Sequence, residues 1–203
     1  MNTLSRDQID GMILSGGRGT RMGHVDKGLQ LLNDQPLIVH ALRCLQPQVA
    51  TVAINANRHQ EQYRQFADAV WEDLTPDFGG PLAGLQSGLS RCGQDYLAVI
   101  PCDAPLLPAD LVARLAQALC AADADAAIAV TGAGDGIENA RQRHPVCCLL
   151  AKKLLPSLQT FLDSGQRKFD HWLASVHCVE VHFADERAFS NINTLQQLRA
   201  LEA

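Results

Sequence analysis

What the 203-residue sequence lacks narrows its class before any motif is considered. No stretch approaches the roughly 18 consecutive apolar residues of a membrane span, so no membrane partner is expected. Met1 to Gly11 carries Arg6, Asp7 and Asp10 and no apolar core, so no secretory signal is visible. Positive charge is not in excess: 17 Lys+Arg stand against 22 Asp+Glu, a net charge of −5. Bulk attraction to nucleic acid or anionic lipid is therefore not expected, and an anionic ligand needs a local basic site. There is no C-x-x-C pair. The seven cysteines are an odd number, with Cys147 beside Cys148, which argues against a disulfide framework and for a reduced, cytoplasmic chain. Charged residues are 19% and aromatics 5%, against 47% apolar, which excludes a disordered acidic chain, a collagen and a coiled coil. The length suits a single domain over 1–203 with a sizeable core.

What is there alternates short apolar runs with helical patterns. Residues 12–15 read as a buried strand that breaks at Gly16-Gly17. Pro36 suits a helix's first turn, with Leu37, Ile38, Ala41, Leu42 and Leu45 as its apolar stripe. Further strands are predicted over 49–54, ending at Asn55, over 69–71, ending at Glu72-Asp73, and over 96–100, ending at Pro101-Cys102-Asp103. A polar helix is predicted over 58–68, a second over 82–90, and a third opened by Pro108. Strands over 126–130 and 145–150 enclose a polar, glycine-rich loop. Helices follow near 152–163 and 168–175, and the last spans 194–202. Residues 176–183 alternate: Val179, Val181 and Phe183 fall on one face, Cys178, Glu180 and His182 on the other, which suits an edge or antiparallel strand. This order predicts a three-layer, mostly parallel, Rossmann-like α/β sheet. Ligands of such sheets sit beyond the carboxyl ends of the strands, where strand order reverses. Those ends carry Gly16-Gly17, Asn55, Asp73 and Asp103.

The segment LSGGRGTRMGHVDKG, 14–28, combines four glycines with Arg18, Arg21 and Lys27 against Asp26. Free backbone amides and local positive charge suit an oligophosphate. Neither common phosphate motif fits, because no Gly-Lys-Ser/Thr occurs and Gly17-x-Gly19 is followed by Met22. Asp103 can hold Mg²⁺, which takes one or two carboxylates plus phosphate oxygens, or it can cap the helix after Pro108. Cys102 beside it reads as a packed small hydrophobe. The loop 78–84, FGGPLAG, leads to a helix N-terminus that favours anions, or is plain loop punctuation. Asn193 or Thr194 can simply cap the last helix. Cys178, Glu180 and His182 could bind a metal, although a solvated polar face explains them. Residues 165–168 read as a helix start or a second anion contact.

Taken in order, L-S-G-G-x-G-T-R-M-G-x-x-D-K-G, N-A-N-R-H, E-D, G-G-P-L-A-G, P-C-D-A-P and N-x-N-T resemble the molybdenum cofactor guanylyltransferases over nearly the whole chain. The first motif alone is shared with sugar-phosphate nucleotidyltransferases. The resemblance implies a nucleotide-diphospho-sugar transferase-like fold. It implies GTP and molybdenum–molybdopterin as substrates, Mg²⁺ as cofactor, and a monomer that meets cofactor-delivering and cofactor-receiving proteins. By position, Leu14, Ser15 and Gly16 would contact GTP, with Gly17 shaping the same turn. Lys27 and Arg21 would stabilise phosphate, Asn55 and Asp73 would touch the nucleoside, and Asp103 would bind GTP through Mg²⁺. Asn191 and Asn193 match the family's pterin-side asparagines. Two positions depart: Ser15 stands where members usually have Ala, and His24 where many have glycine. The cytidylyl relatives tend to read A-A-G at 15–17, which favours guanine for this chain. A cytidylyltransferase for the same cofactor, a sugar-phosphate nucleotidyltransferase and a non-catalytic nucleotide- or pterin-binding protein are the rival readings.

Overall fold

The structure is a computed structural model that describes residues 4–15, 26–67, 69–75, 80–132 and 141–201. Within these, β1 (Ile9–Leu14) is followed by a two-stranded hairpin of β2 (Leu31–Leu32) and β3 (Gln35–Pro36), then α1 (Leu37–Leu45) and β4 (Val52–Asn55). Next come α2 (Gln60–Tyr63), β5 (Ala69–Trp71), α3 (Pro81–Arg91), β6 (Tyr96–Pro101) and α4 (Leu111–Ala121). The chain ends with β7 (Ala126–Thr131), β8 (Gln142–Ala151), α5 (Leu155–Asp163), α6 (Phe169–Leu173), β9 (Cys178–His182) and α7 (Leu195–Ala200).

Apolar periodicity explains most of this. The α1 stripe named above, Leu37 to Leu45, is buried throughout, and Pro36 closes β3 while standing at the helix's N-cap. The interior strands are buried at both pleat faces, as strands covered by helices on each side must be. Ile13, Ile100, Ala127 and Leu149 pack with α1 and α4 on one side of the sheet. Met12, Val99, Ile128 and Leu150 pack with α3, α5 and α6 on the other. This is the three-layer arrangement the alternation predicted. Cys147 and Cys148 fall on opposite faces by the same two-residue period, and all seven cysteines are free.

The seven-stranded sheet runs β5-β4-β1-β6-β8-β7-β9. β5, β4, β1 and β6 are mutually parallel, β9 is parallel to β7, and β8 alone runs against its neighbours. The alternating strand β9 is thus an edge strand, as its wet face implied, but it is parallel to its neighbour. The antiparallel strand is β8, whose register against β7 shifts between Ile128 and Ala129. The chain first builds outward from β1 through β4 to β5, then crosses to β6 on the other side of β1. Strand order therefore reverses between β1 and β6, and their carboxyl ends open the crevice where ligands of such sheets lie.

Several boundaries differ from the sequence reading. The hairpin β2–β3 was not expected; it turns at Asn33 and Asp34, with φ of 50° and 59°. The polar helix shrinks to one turn, α2, entered from His59 at φ 53°. α4 starts at Leu111, after a turn closed by the Pro108 carbonyl. A small cluster of Leu32, Leu37, Ile192 and Leu198 docks α7 and the segment before it onto the hairpin. That contact brings the end of the chain to the carboxyl side of the sheet. Among the described residues, no helix is long and apolar enough to cross a membrane.

The opposite end of the sheet is tied by one buried carboxylate. Asp10 on β1 is 5% exposed and accepts hydrogen bonds from the Gly93 and Gln94 amides at 2.6 and 3.1 Å and from the Thr51 hydroxyl at 2.7 Å. Truncating it strands those donors. Asp10→Ala is expected to lower the unfolding free energy by about 2–4 kcal/mol and Asp10→Asn by roughly half as much, read by urea denaturation. The activity of the folded fraction stays unchanged, because Asp10 lies at the amino ends of the strands.

Candidate active site

Asp103 is the second residue beyond β6, and Lys27 opens a short 3₁₀ turn (Lys27–Leu29). The Lys27 ammonium donates to Asp103 Oδ2 at 3.0 Å and to Asn193 Oδ1 at 2.6 Å. Both charged side chains are mostly buried, 22% and 14% exposed. Solvent and salt screen such a pair less than a surface pair. Two further bonds frame it. The Ile192 amide donates to the Asp103 carbonyl at 2.8 Å, and the Cys102 amide donates to the Leu14 carbonyl at 3.1 Å. Asp103 makes no cap on α4, whose N-cap is Asp110. Its carboxylate pairs with Lys27 through Oδ2.

Asn193 and Thr194 divide their work. The Thr194 hydroxyl accepts from the Gln197 amide at 3.1 Å, and Gln197 Oε1 takes the Asn193 and Thr194 amides, completing a capping box for α7. The Asn193 side chain is thereby released to face Lys27. Asn191 contributes its carbonyl, which accepts from Asn193 Nδ2 at 3.3 Å.

A second cluster stands at the ends of β4 and β5. The buried Asn55 amide donates to Asp73 Oδ1 at 3.0 Å and to the Trp71 carbonyl at 3.2 Å. Asn57 grips Asp73 twice: its Nδ2 donates to Oδ2 at 2.7 Å, and its Oδ1 accepts the Asp73 amide at 2.8 Å. Asn57 was missed in the sequence although it sits in the N-A-N-R-H motif. Gly84 of α3 lies so close that a Cβ there would stand 2.6 Å from both Asn55 Oδ1 and Leu14 Cδ2. Ser15 follows β1; its amide donates to the Asn55 carbonyl at 2.9 Å, and its hydroxyl is buried without a partner among the described residues. The structure thus brings together Leu14, Ser15, Lys27, Asn55, Asp73, Asp103, Asn191 and Asn193 along one edge of the sheet. Gly16, Gly17, Arg21 and His24 lie outside the described residues.

Other candidates resolve into structure. Glu180 pairs with Arg143 at 3.0 Å and with Arg141, and His182 Nε2 meets the Gly132 carbonyl at 2.6 Å. Cys178 packs with the core on its own face. Among the described residues, no group of three His, Cys, Asp or Glu side chains is placed to hold a metal. Arg167 donates to the Leu162 carbonyl at the end of α5. Burial pushes the Cys102 thiol up to about 12, with the Asp103 charge adding to it. That thiol stays protonated and packed beside the site.

A MobA-like NTP transferase domain matches residues 11–179, and with this switch-point sheet it makes the protein a nucleotidyltransferase. The molybdenum cofactor guanylyltransferase of Bordetella petrii is 50% identical over 199 residues, covering 98% of this chain and 99% of that protein. That of Ralstonia nicotianae is 51% identical over 201 residues, covering 98% of each. The crystal structure of molybdopterin-guanine dinucleotide biosynthesis protein A from Archaeoglobus fulgidus shares the fold with a TM-score of 0.75 at 23% identity, covering 95% of this chain and 96% of that one. The chain belongs to the molybdenum cofactor guanylyltransferase family.

The cysteine assignment has a direct check. Iodoacetamide at pH 8 should leave Cys92, Cys102, Cys147 and Cys148 unmodified in the native protein, and peptide mass spectrometry should find all seven alkylated after unfolding. Rapid native labelling of Cys102 would contradict its packed, protonated state.

Proposed function

We propose that this protein transfers the GMP unit of GTP to molybdenum–molybdopterin, releasing pyrophosphate and leaving the guanine dinucleotide form of the cofactor. The observation that carries the reading is the Lys27 ammonium, held between Asp103 and Asn193 at the β1/β6 switch point. The names of relatives at about half identity over nearly the whole chain support it.

An ammonium has three protons to donate. Asp103 and Asn193 take two, which fixes the direction of the third and leaves it for a phosphate oxygen. Lys27 can therefore bind the triphosphate without letting go of the residues that aim it. Arg21 and the turn at Gly16-Gly17 complete the phosphate side by their place in the motif. Leu14, Ser15, Asn55 and Asp73 form the nucleoside side, and Asn191 and Asn193 the pterin side. The nucleophile is the terminal phosphate of molybdopterin. One of its oxygens forms a bond to the α-phosphorus of GTP, and the bond from that phosphorus to the bridging oxygen breaks, with its electron pair leaving on pyrophosphate. A phosphate monoester is ionised at neutral pH, so no side chain is needed as base. The chain's contribution is positioning and electrostatic stabilisation.

Asp103 fits a magnesium ion. Its carboxylate is a hard oxygen donor, and its ion pair with Lys27 runs through Oδ2, leaving Oδ1 as a ligand position. One carboxylate with phosphate oxygens and water is a donor set magnesium accepts. When bound there, magnesium supplies positive charge against the departing pyrophosphate.

The test is formation of the guanine dinucleotide cofactor and pyrophosphate from Mg-GTP and molybdenum–molybdopterin, with CTP, ATP and UTP giving none. Asp103→Ala should lower turnover by about 10³-fold and Lys27→Met by about 10²-fold, with the far-ultraviolet spectrum unchanged. Full activity in Asp103→Ala would remove the assignment. Gly84→Ala, which drives a methyl group into Asn55, is expected to weaken Mg-GTP binding about tenfold in calorimetric titration.

A further inference from the structure

The phosphate-binding lysine stands on a buried polar support that the motif reading did not contain. Asp26, immediately before Lys27, is 8% exposed and points inward. Its Oδ1 accepts the Gly28 amide at 3.2 Å, which caps the 3₁₀ turn, and the same oxygen accepts the Tyr63 hydroxyl. Tyr63 lies on α2 and is fully buried. Gly28 presses onto the phenol so closely that a Cβ would stand 2.5 Å from the Tyr63 oxygen. The residue before Lys27 is therefore anchored by the phenol, and the residue after it is tied to the same carboxylate and seated on the same ring. The backbone of Lys27 is clamped on both sides while its side chain reaches Asp103 and Asn193.

We propose that Tyr63 is a positioning residue for Lys27: through Asp26 it fixes the turn that aims the ammonium at the triphosphate. A buried carboxylate needs donors to offset its lost hydration. Tyr63 is suited to that task, because burial, and then the nearby Cys102 and Asp26, raise its pKa far above the usual phenol range and keep it a donor. A phenylalanine at this position would fill the space and leave Asp26 short of one bond. The effect on catalysis rests on the guanylyl-transfer reading; the anchoring of the turn does not.

Two measurements on the full chain test this. In the ligand-free protein, Tyr63→Phe should speed hydrogen exchange of the Gly28 amide by about tenfold, with the α1 amides unchanged. In steady-state pyrophosphate release, Tyr63→Phe should lower kcat/KM for Mg-GTP by about tenfold beside an intact Lys27, and by less than about twofold in a Lys27→Met background. Asp26→Asn, which keeps the shape of the clamp, should show the same dependence on Lys27 should Tyr63→Phe fold poorly. Equal losses in both backgrounds mean a merely structural tyrosine and overturn the proposal. So do wild-type kinetics in either variant, or a Gly28 amide that exchanges at the wild-type rate. If the wild-type protein turns over no GTP, the guanylyl-transfer reading falls, and the exchange rate at Gly28 alone decides whether Tyr63 anchors the turn.

Discussion

The ion pair between Lys27 and Asp103, shared with Asn193, is the contact on which the rest of this structure converges. Its members are 76 and 166 residues apart in the chain. They meet because β1 and β6 are parallel neighbours and because the last helix docks on the hairpin beside them. A partly buried charge pair costs desolvation that only good geometry offsets. Here the geometry is set from below by the sheet and from the side by the Ile192 amide, which holds the Asp103 backbone. Under the proposed guanylyl transfer this arrangement would stand ready for the triphosphate before it arrives, which is where positioning catalysis gains most.

Buried carboxylates do different work at the two ends of the sheet. At the amino ends, Asp10 collects two turn amides and a hydroxyl and faces no crevice. At the carboxyl ends, Asp26 holds a turn in place from within, Asp73 is gripped by Asn55 and Asn57, and Asp103 faces Lys27. All four are aspartates at or beside strand or turn ends, and their local sequence does not separate them. What separates them is the partner: two backbone amides and a hydroxyl at Asp10, a backbone amide and a phenol at Asp26, the side-chain amides of Asn55 and Asn57 at Asp73, and a lysine ammonium at Asp103.

Much of this was legible along the chain. Apolar runs located the carboxyl ends of β1, β4, β5 and β6, at Leu14, Asn55, Trp71 and Pro101, to within one residue, and the helical stripe of α1 was read residue by residue. The D-K-G and P-C-D segments named two members of the central pair. The hairpin β2–β3 escaped because strands of two residues carry no period to detect. The sense of β8 escaped because a buried apolar run reads the same whichever way it points. Tyr63 escaped because its segment is mostly polar, and the carboxylate that accepts its hydroxyl lies 37 residues away.

The sequence by itself determined the class of sheet, the places where its strands end, and the glycine-rich, basic composition of the segment after β1. These follow from short-range facts: periodicity, glycine and proline punctuation, and the charge held within one loop. Tertiary structure alone decided that Asn193 aims Lys27 while Thr194 caps the helix, that Asn57 grips Asp73, and that Tyr63 holds the turn from beneath. Three of those depend on which distant side chains the fold brings within reach, and a hydrogen-bonding group has room for only so many partners.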